Sequence, residues 1–257
     1  MFTITNPKIA GFTPEWSPFK GYSILFDNPS DCLLPLDANE DLKLLSCDIE
    51  SEQLGLYKSL NQTLTQLSEV KNTYLFCPLP SHSYHVTLWD GINDGNVQEV
   101  SREHRFNAED LLDNLPHSLR GGERDFLRIG DGPLHIDMEE SIDFQFDKLI
   151  KWGNSVLVAS LKPANSRSRA VLHKIEEERK CLIEKYKERF GLETCGSSYT
   201  PHVSLGYFAN KERAEMSTSN IGHWNERFLQ STEGQTVTFT SNSLYGFSSM
   251  ATFYKKF

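Results

Sequence analysis

Two short stretches constrain this chain more than any other: Tyr84-His85-Val86-Thr87-Leu88-Trp89 and Pro201-His202-Val203-Ser204-Leu205-Gly206. Each runs histidine, apolar, hydroxyl, apolar. Side chains alternate faces along a β-strand, so residues two apart share a face. One face then carries His85 with Thr87, or His202 with Ser204. The other carries Val86 with Leu88, or Val203 with Leu205. The apolar members require a core and the polar members a cleft. Two such strands on one cleft bring together two imidazoles and two hydroxyls. An imidazole, with a reference pKa of about 6.5, takes or gives a proton near neutral pH. Hydroxyls donate hydrogen bonds to an oxygen that carries negative charge. A neutral and a protonated ring together perform both proton transfers of phosphodiester cleavage, with no metal required.

The paired stretches resemble the signature of the 2H phosphoesterase superfamily, which includes 2′,3′-cyclic phosphodiesterases and the 2′-5′ RNA ligase-like proteins. Thr200-Pro201-His202-Val203-Ser204-Leu205-Gly206 is the closer match, and His85-Val86-Thr87-Leu88 fits the core of the pattern. The order of strands and helices around the motifs fits as well. The resemblance does not extend to the first twenty residues or to the stretch from Asn93 to Asp131. It implies a bilobed α+β fold in which two mostly antiparallel sheets face a central cleft, with helices on the outer faces. It implies His85, His202, Thr87 and Ser204 as catalytic residues. For hydrolysis of a cyclic phosphate His85 is the acid and His202 the base; the roles exchange for the reverse type of step. No cofactor and no metal is implied, and the sequence holds no CxxC and no HExxH.

A length of 257 residues permits one large domain or two small ones, and the resemblance implies a single bilobed domain. Residues 1–20 read as a surface arm, 21–132 as the lobe with the first motif, and 133–257 as the remaining strands with the second, the lobes interleaving. No apolar run approaches the roughly 20 residues of a membrane helix. Met1 to Pro7 lacks a basic start followed by an apolar core, so no secretory signal is expected. The odd set of Cys32, Cys47, Cys77, Cys181 and Cys195 fits reduced thiols in the cytoplasm. A monomer is expected.

The net charge is −9, and much of it lies between Asp27 and Glu52, where Lys43 is the one opposing cation. That stretch reads as a solvated acidic surface. An acidic protein is a poor match for long duplex nucleic acid, whose binding depends on phosphate neutralisation. The substrate is therefore expected to be small: a nucleotide, a short oligonucleotide or an RNA end. Tyr84, Trp152 and Tyr207 are the candidates for stacking on a base; a bulge at Gly206 would turn Tyr207 towards the cleft. Two other functions remain open. One is degradation of a signalling oligonucleotide, either 2′-5′ oligoadenylate or a cyclic oligonucleotide. The other is a non-catalytic nucleotide- or RNA-binding module on the same fold.

Hydrophobic period places the elements. Gly21 to Phe26 and Thr73 to Cys77 read as strands, and Ile49 to Val70 as a helix with a stripe of Leu56, Leu60, Leu64 and Leu67. The first motif strand is expected from Ser83 to Trp89, ending at Asp90-Gly91. Phe144 to Ile150 and Val156 to Leu161 form a hairpin. Ser166 to Phe190 is the clearest helix, stopped by Gly191, with Glu176 to Lys180 on its wet face. The second motif strand runs from Tyr199 to Phe208, and Lys211 to Phe228 reads as helix. Strands follow from Thr236 to Thr240 and between Ser243 and Tyr254. Arg102, Arg105, Arg120, Arg124 and Arg128 read as ordinary charged surface in preference to a phosphate-binding edge.

Overall fold

Strand pairing among the described residues gives two large sheets and one small ribbon. The computed structural model describes residues 3–11, 16–30, 33–36, 41–121, 125–129 and 132–256. Cys32, Arg124 and three acids of the early stretch, Asp31, Asp37 and Glu40, lie outside them. The first half of the chain holds β1 (Gly21–Phe26), β2 (Leu34–Pro35), β3 (Leu42–Leu44), α1 (Gly55–Gln66), α2 (Ser68–Asn72), β4 (Phe76–Pro78) and β5 (Thr87–Asn93). Next come α3 (Arg105–Asp113), α4 (His117–Gly121) and a small ribbon of β6 (Arg128–Ile129) with β7 (Gly132–Pro133). The second half holds β8 (Ile142–Trp152), β9 (Val156–Pro163), α5 (Ser166–Phe190), β10 (His202–Phe208), α6 (Lys211–Met216), α7 (Ile221–Ser231), β11 (Val237–Phe239), β12 (Asn242–Ser249) and β13 (Thr252–Lys256).

One sheet has the order β2-β3-β13-β12-β1-β5 and the other β11-β8-β9-β10-β4, with every pairing antiparallel. The architecture is therefore α+β and bilobed, with two antiparallel sheets lining a cleft. Chain order and lobe order differ. β4 precedes the first motif but sits beside β10, and β12 and β13 return to the first sheet.

The helices cover the sheets away from the cleft. α5 begins where the Asn165 side chain accepts from the Ser168 amide, and it ends at Gly191 in the left-handed region (φ 72°). The Ser168 hydroxyl accepts from the Asp143 amide on β8. Towards the other end, Tyr186 packs on Trp89 of β5, and its hydroxyl meets that of Tyr22 on β1. One helix thus ties the backs of both sheets. α7 buries Trp224 and Phe228 against Tyr74 and Phe146.

Several elements differ from the sequence reading for local reasons. The first long helix is broken at Leu67, whose ψ of 69° is not helical, so α2 continues in a new direction. The region from Lys211 to Phe228 likewise splits into α6, a 3-10 turn and α7. Arg179 is not on a wet face but is 5 % exposed. Asp27 does not belong to a solvated surface: it pairs with Lys255 at 2.6 Å and accepts from Ser241, Ser243 and Tyr245. Burial alone would raise its pKa, but Lys255 and the hydroxyls outweigh burial and hold the carboxyl below its ordinary value. The described part of the first twenty residues packs closely on the second sheet. Ile9 is buried, and the amides of Thr5 and Asn6 donate to Ala209 at the end of β10.

Candidate active site

The two motif strands meet. Val86 forms an antiparallel bridge with Val203, and this contact joins the first sheet to the second. Continuing that register by one residue each way sets His85 across from Ser204 and Thr87 across from His202. Val86, Leu88, Val203 and Leu205 are all buried, each 1 % exposed or less. The alternation then turns His85, Thr87, His202 and Ser204 to the other side, where all four line one cleft of about 350 Å³.

Each histidine is set in the same manner. His85 Nδ1 lies 2.7 Å from the Ser83 carbonyl, and His202 Nδ1 lies 2.9 Å from the Thr200 carbonyl. A carbonyl can only accept, so Nδ1 carries the hydrogen in both rings. In the neutral ring Nε2 is then the basic nitrogen. Each ring also rests on an aromatic side chain. His85 lies 4.3 Å from Phe253, and His202 meets Trp152 edge-on at 4.5 Å. Burial pushes the His85 imidazole down to about 4; the neighbouring His202 lowers it too, while the Ser83 carbonyl and Asp90 pull it up. Burial also lowers His202, against the Thr200 carbonyl and Asp90. Both rings are therefore neutral near pH ~7, and an incoming anion raises both.

The backbone of the first motif is held from outside its sheet. Arg179 donates from Nε to the Leu88 carbonyl and from Nη1 to the Gly196 carbonyl, each at 2.8 Å. The Tyr199 hydroxyl donates to the Thr87 carbonyl at 2.9 Å, and the guanidinium lies 5.1 Å from the Tyr199 ring centroid. The second motif is shaped by a bulge. The pairing of β10 with β9 slips between Ser204 and Gly206, where Gly206 has φ 153°. A Cβ there would lie 2.3 Å from the Cys77 carbonyl oxygen, so the close approach of β4 requires glycine. Beyond the bulge Tyr207 lines the cleft.

Of the three aromatic candidates, the structure brings two to the cleft, Trp152 and Tyr207. Tyr84 is not there. It is 1 % exposed and packs edge-on against Tyr57, because it shares the core-facing parity of Val86. The cleft also holds residues that sequence reasoning missed. Asp90 accepts from the Ser23 hydroxyl at 3.1 Å and acts electrostatically on both histidines. Its signal was present but misread: β5 does not stop at Asp90 but continues to Asn93. Lys8 and Phe253 reach the cleft from the two ends of the chain, and nothing local in the sequence marks them. Among the described residues no group of three or more His, Cys, Asp or Glu side chains is placed to hold a metal ion. Among the described residues no helix is long and apolar enough to cross a membrane.

No family model matches the sequence, and no curated protein matches it. Solved structures do. A conserved protein of unknown function from Agrobacterium tumefaciens aligns over 97 % of this chain and 89 % of its own, with a TM-score of 0.54 at 12 % identity. That likeness establishes a shared fold. The chain resembles the 2H phosphoesterases in its two motifs. Escherichia coli LigT complexed with phosphate aligns over 94 % of this chain and 96 % of its own, at 14 % identity and a TM-score of 0.40. Usb1 of Kluyveromyces marxianus with uridine monophosphate aligns over 93 % and 97 %, at 13 % identity and 0.38. Both are more distant in fold.

Proposed function

We propose that this protein is a metal-independent phosphodiesterase that acts on a nucleotide or RNA end, at a 2′,3′-cyclic phosphate or a 2′-5′ linkage. The observation that carries this reading is the Val86–Val203 bridge, which brings two His-x-hydroxyl motifs into one cleft. In hydrolysis of a cyclic phosphate, His202 Nε2 takes a proton from water as the water oxygen bonds to phosphorus. His85, protonated at Nε2, gives its proton to the ribose oxygen as the P–O bond breaks. The proton is thereby passed through the site, and the pair returns to its starting state by exchange with solvent. Thr87 and Ser204 donate to the non-bridging oxygens, where charge builds in the transition state. The substrate's own negative charge favours the imidazolium that His85 needs, which offsets the effect of burial.

The test is hydrolysis of a 2′,3′-cyclic nucleotide and a 2′-5′ diadenylate in excess EDTA, comparing wild type with His85→Ala and His202→Ala. Turnover that survives the chelator and collapses in both variants supports the reading, and the preferred substrate chooses the branch. Loss of turnover on chelation sinks the metal-independent mechanism. Activity that persists in either variant sinks the paired-histidine one.

A further inference from the structure

Lys8 is the one Lys or Arg among the described residues that line the cleft. Its ammonium lies 5.0 Å from the ring centroids of both Phe19 and Tyr207 and 3.5 Å from the Tyr207 hydroxyl. Among the described residues it pairs with no carboxylate. The segment that carries it is fastened. Asn6 Nδ2 donates to the Phe208 carbonyl and the Ser155 hydroxyl, and Asn6 Oδ1 accepts from the Lys8 amide. Ile9 is buried and bridges to Trp16, whose ring meets Tyr207 edge-on at 6.0 Å. An ammonium built into a cleft wall without a carboxylate partner is placed for an anionic ligand.

The imidazoles share the cleft with Thr87 and Ser204, whereas the Lys8 ammonium stands at Tyr207, beyond the bulge at Gly206. Along β10, Tyr207 is three residues beyond Ser204, with the Gly206 bulge between them. The cleft, at about 350 Å³, exceeds the needs of one phosphate group and suits a nucleotide.

We propose that Lys8 holds a second phosphate of the substrate, so that the site prefers a nucleotide or short oligonucleotide that carries a phosphate monoester besides the diester it cleaves. This rests on the phosphodiesterase reading of the cleft. Phe19 and Tyr207 keep the ammonium in place and strip part of its water, which strengthens its pull on a phosphate oxygen.

The experiment is calorimetric titration with adenosine 3′-monophosphate and adenosine 3′,5′-bisphosphate, which needs no turnover. Wild type is expected to bind the bisphosphate about tenfold more tightly, the effect of one charge-assisted contact. Lys8→Met is expected to erase that preference while leaving the affinity for the monophosphate unchanged. Lys8→Arg is expected to keep most of it. Equal wild-type affinities, no binding of the bisphosphate, or a preference that survives in Lys8→Met would each overturn the inference. A drop in Lys8→Met for both ligands alike would overturn it too, by placing Lys8 at the reacting phosphate. The chelator assay judges the phosphodiesterase reading separately. A chain that turns over cyclic nucleotides yet shows no bisphosphate preference refutes the Lys8 role alone.

Discussion

Val86 and Val203 pair across the boundary between two sheets, so each motif histidine faces the hydroxyl of the other motif. His85 lies across from Ser204, and His202 lies across from Thr87. Each hydroxyl is thus set opposite an imidazole of the other motif, which in the proposed reaction transfers the proton. Truncation of either should act on the chemical step. We expect Thr87→Ala and Ser204→Ala each to lower kcat by about a hundredfold to a thousandfold, as loss of one oxyanion donor does, with a smaller change in KM. Thr87→Ser and Ser204→Thr keep the donor and should stay within about tenfold of wild type. Steady-state kinetics of the four variants check this. A fall in Thr87→Ser as deep as in Thr87→Ala would assign Thr87 a packing role.

The histidines also set the response to acid. The unfolded chain takes a proton at His85 as pH falls through about 6.5, whereas the folded chain holds that ring neutral down to about 4. Between those values the unfolded state binds more protons. Stability is therefore complete above the unfolded pKa and declines as pH falls towards the folded one. His202, lowered in the same direction, adds to the decline. Urea denaturation at pH ~7 and pH ~5 should show a drop in midpoint for wild type, and a smaller drop for His85→Gln. Because both free-enzyme pKa values lie below the ordinary histidine value, kcat/KM should peak on the acid side of neutrality. A maximum above pH ~8 would contradict the pair as drawn.

Legibility in the sequence followed the range of the interaction. The motif pair, the hairpin and α5 were readable because period, turn residues and caps are local, and Ser166 to Phe190 matches α5 at both ends. The orientation of Val86, Leu88, Val203 and Leu205 followed from strand parity alone. The charged neighbours of Arg179 point to a wet face; its partners, the Leu88 and Gly196 carbonyls, are not written in the helix. Asp27 was assigned to surface by its acidic surroundings, although Lys255 waits at the far end of the chain. Lys8 and Phe253 reach the cleft by tertiary folding only. Tyr84 was a candidate by adjacency to His85, and parity by itself should have sent it to the core.

Gly206 offers a test of how the second motif is shaped. Its φ of 153° and the absent Cβ let the Cys77 carbonyl and the Phe76 ring approach β10. The resulting bulge is what turns Tyr207 to the cleft. Gly206→Ala must move backbone on β4 or β10, since the nearest obstacle is a carbonyl oxygen rather than a flexible side chain. We expect a loss of about 3 kcal/mol in stability, from strain and the steric conflict together. Chemical denaturation measures it. A variant as stable as wild type would show that the strands separate readily there.

Arg179 carries the last prediction. Among the described residues its buried guanidinium pairs with no carboxylate, and its charge is met by two backbone carbonyls and the face of Tyr199. Through Leu88 it fixes the start of β5, which carries Thr87 and directly follows His85 and Val86, and Tyr199 fixes the adjacent Thr87 carbonyl. Arg179→Met keeps much of the volume but leaves two acceptors unmet, which should cost about 3 kcal/mol. Arg179→Lys should recover little, because an ammonium lacks the planar fork that spans two carbonyls. If Arg179 acts by positioning, activity measured well below each variant's melting temperature should still fall in kcat more than in KM. The bell of the pH profile should keep its place, since neither imidazole takes its pKa shift from Arg179. A variant with lowered melting temperature and unchanged kcat would limit Arg179 to a role in stability.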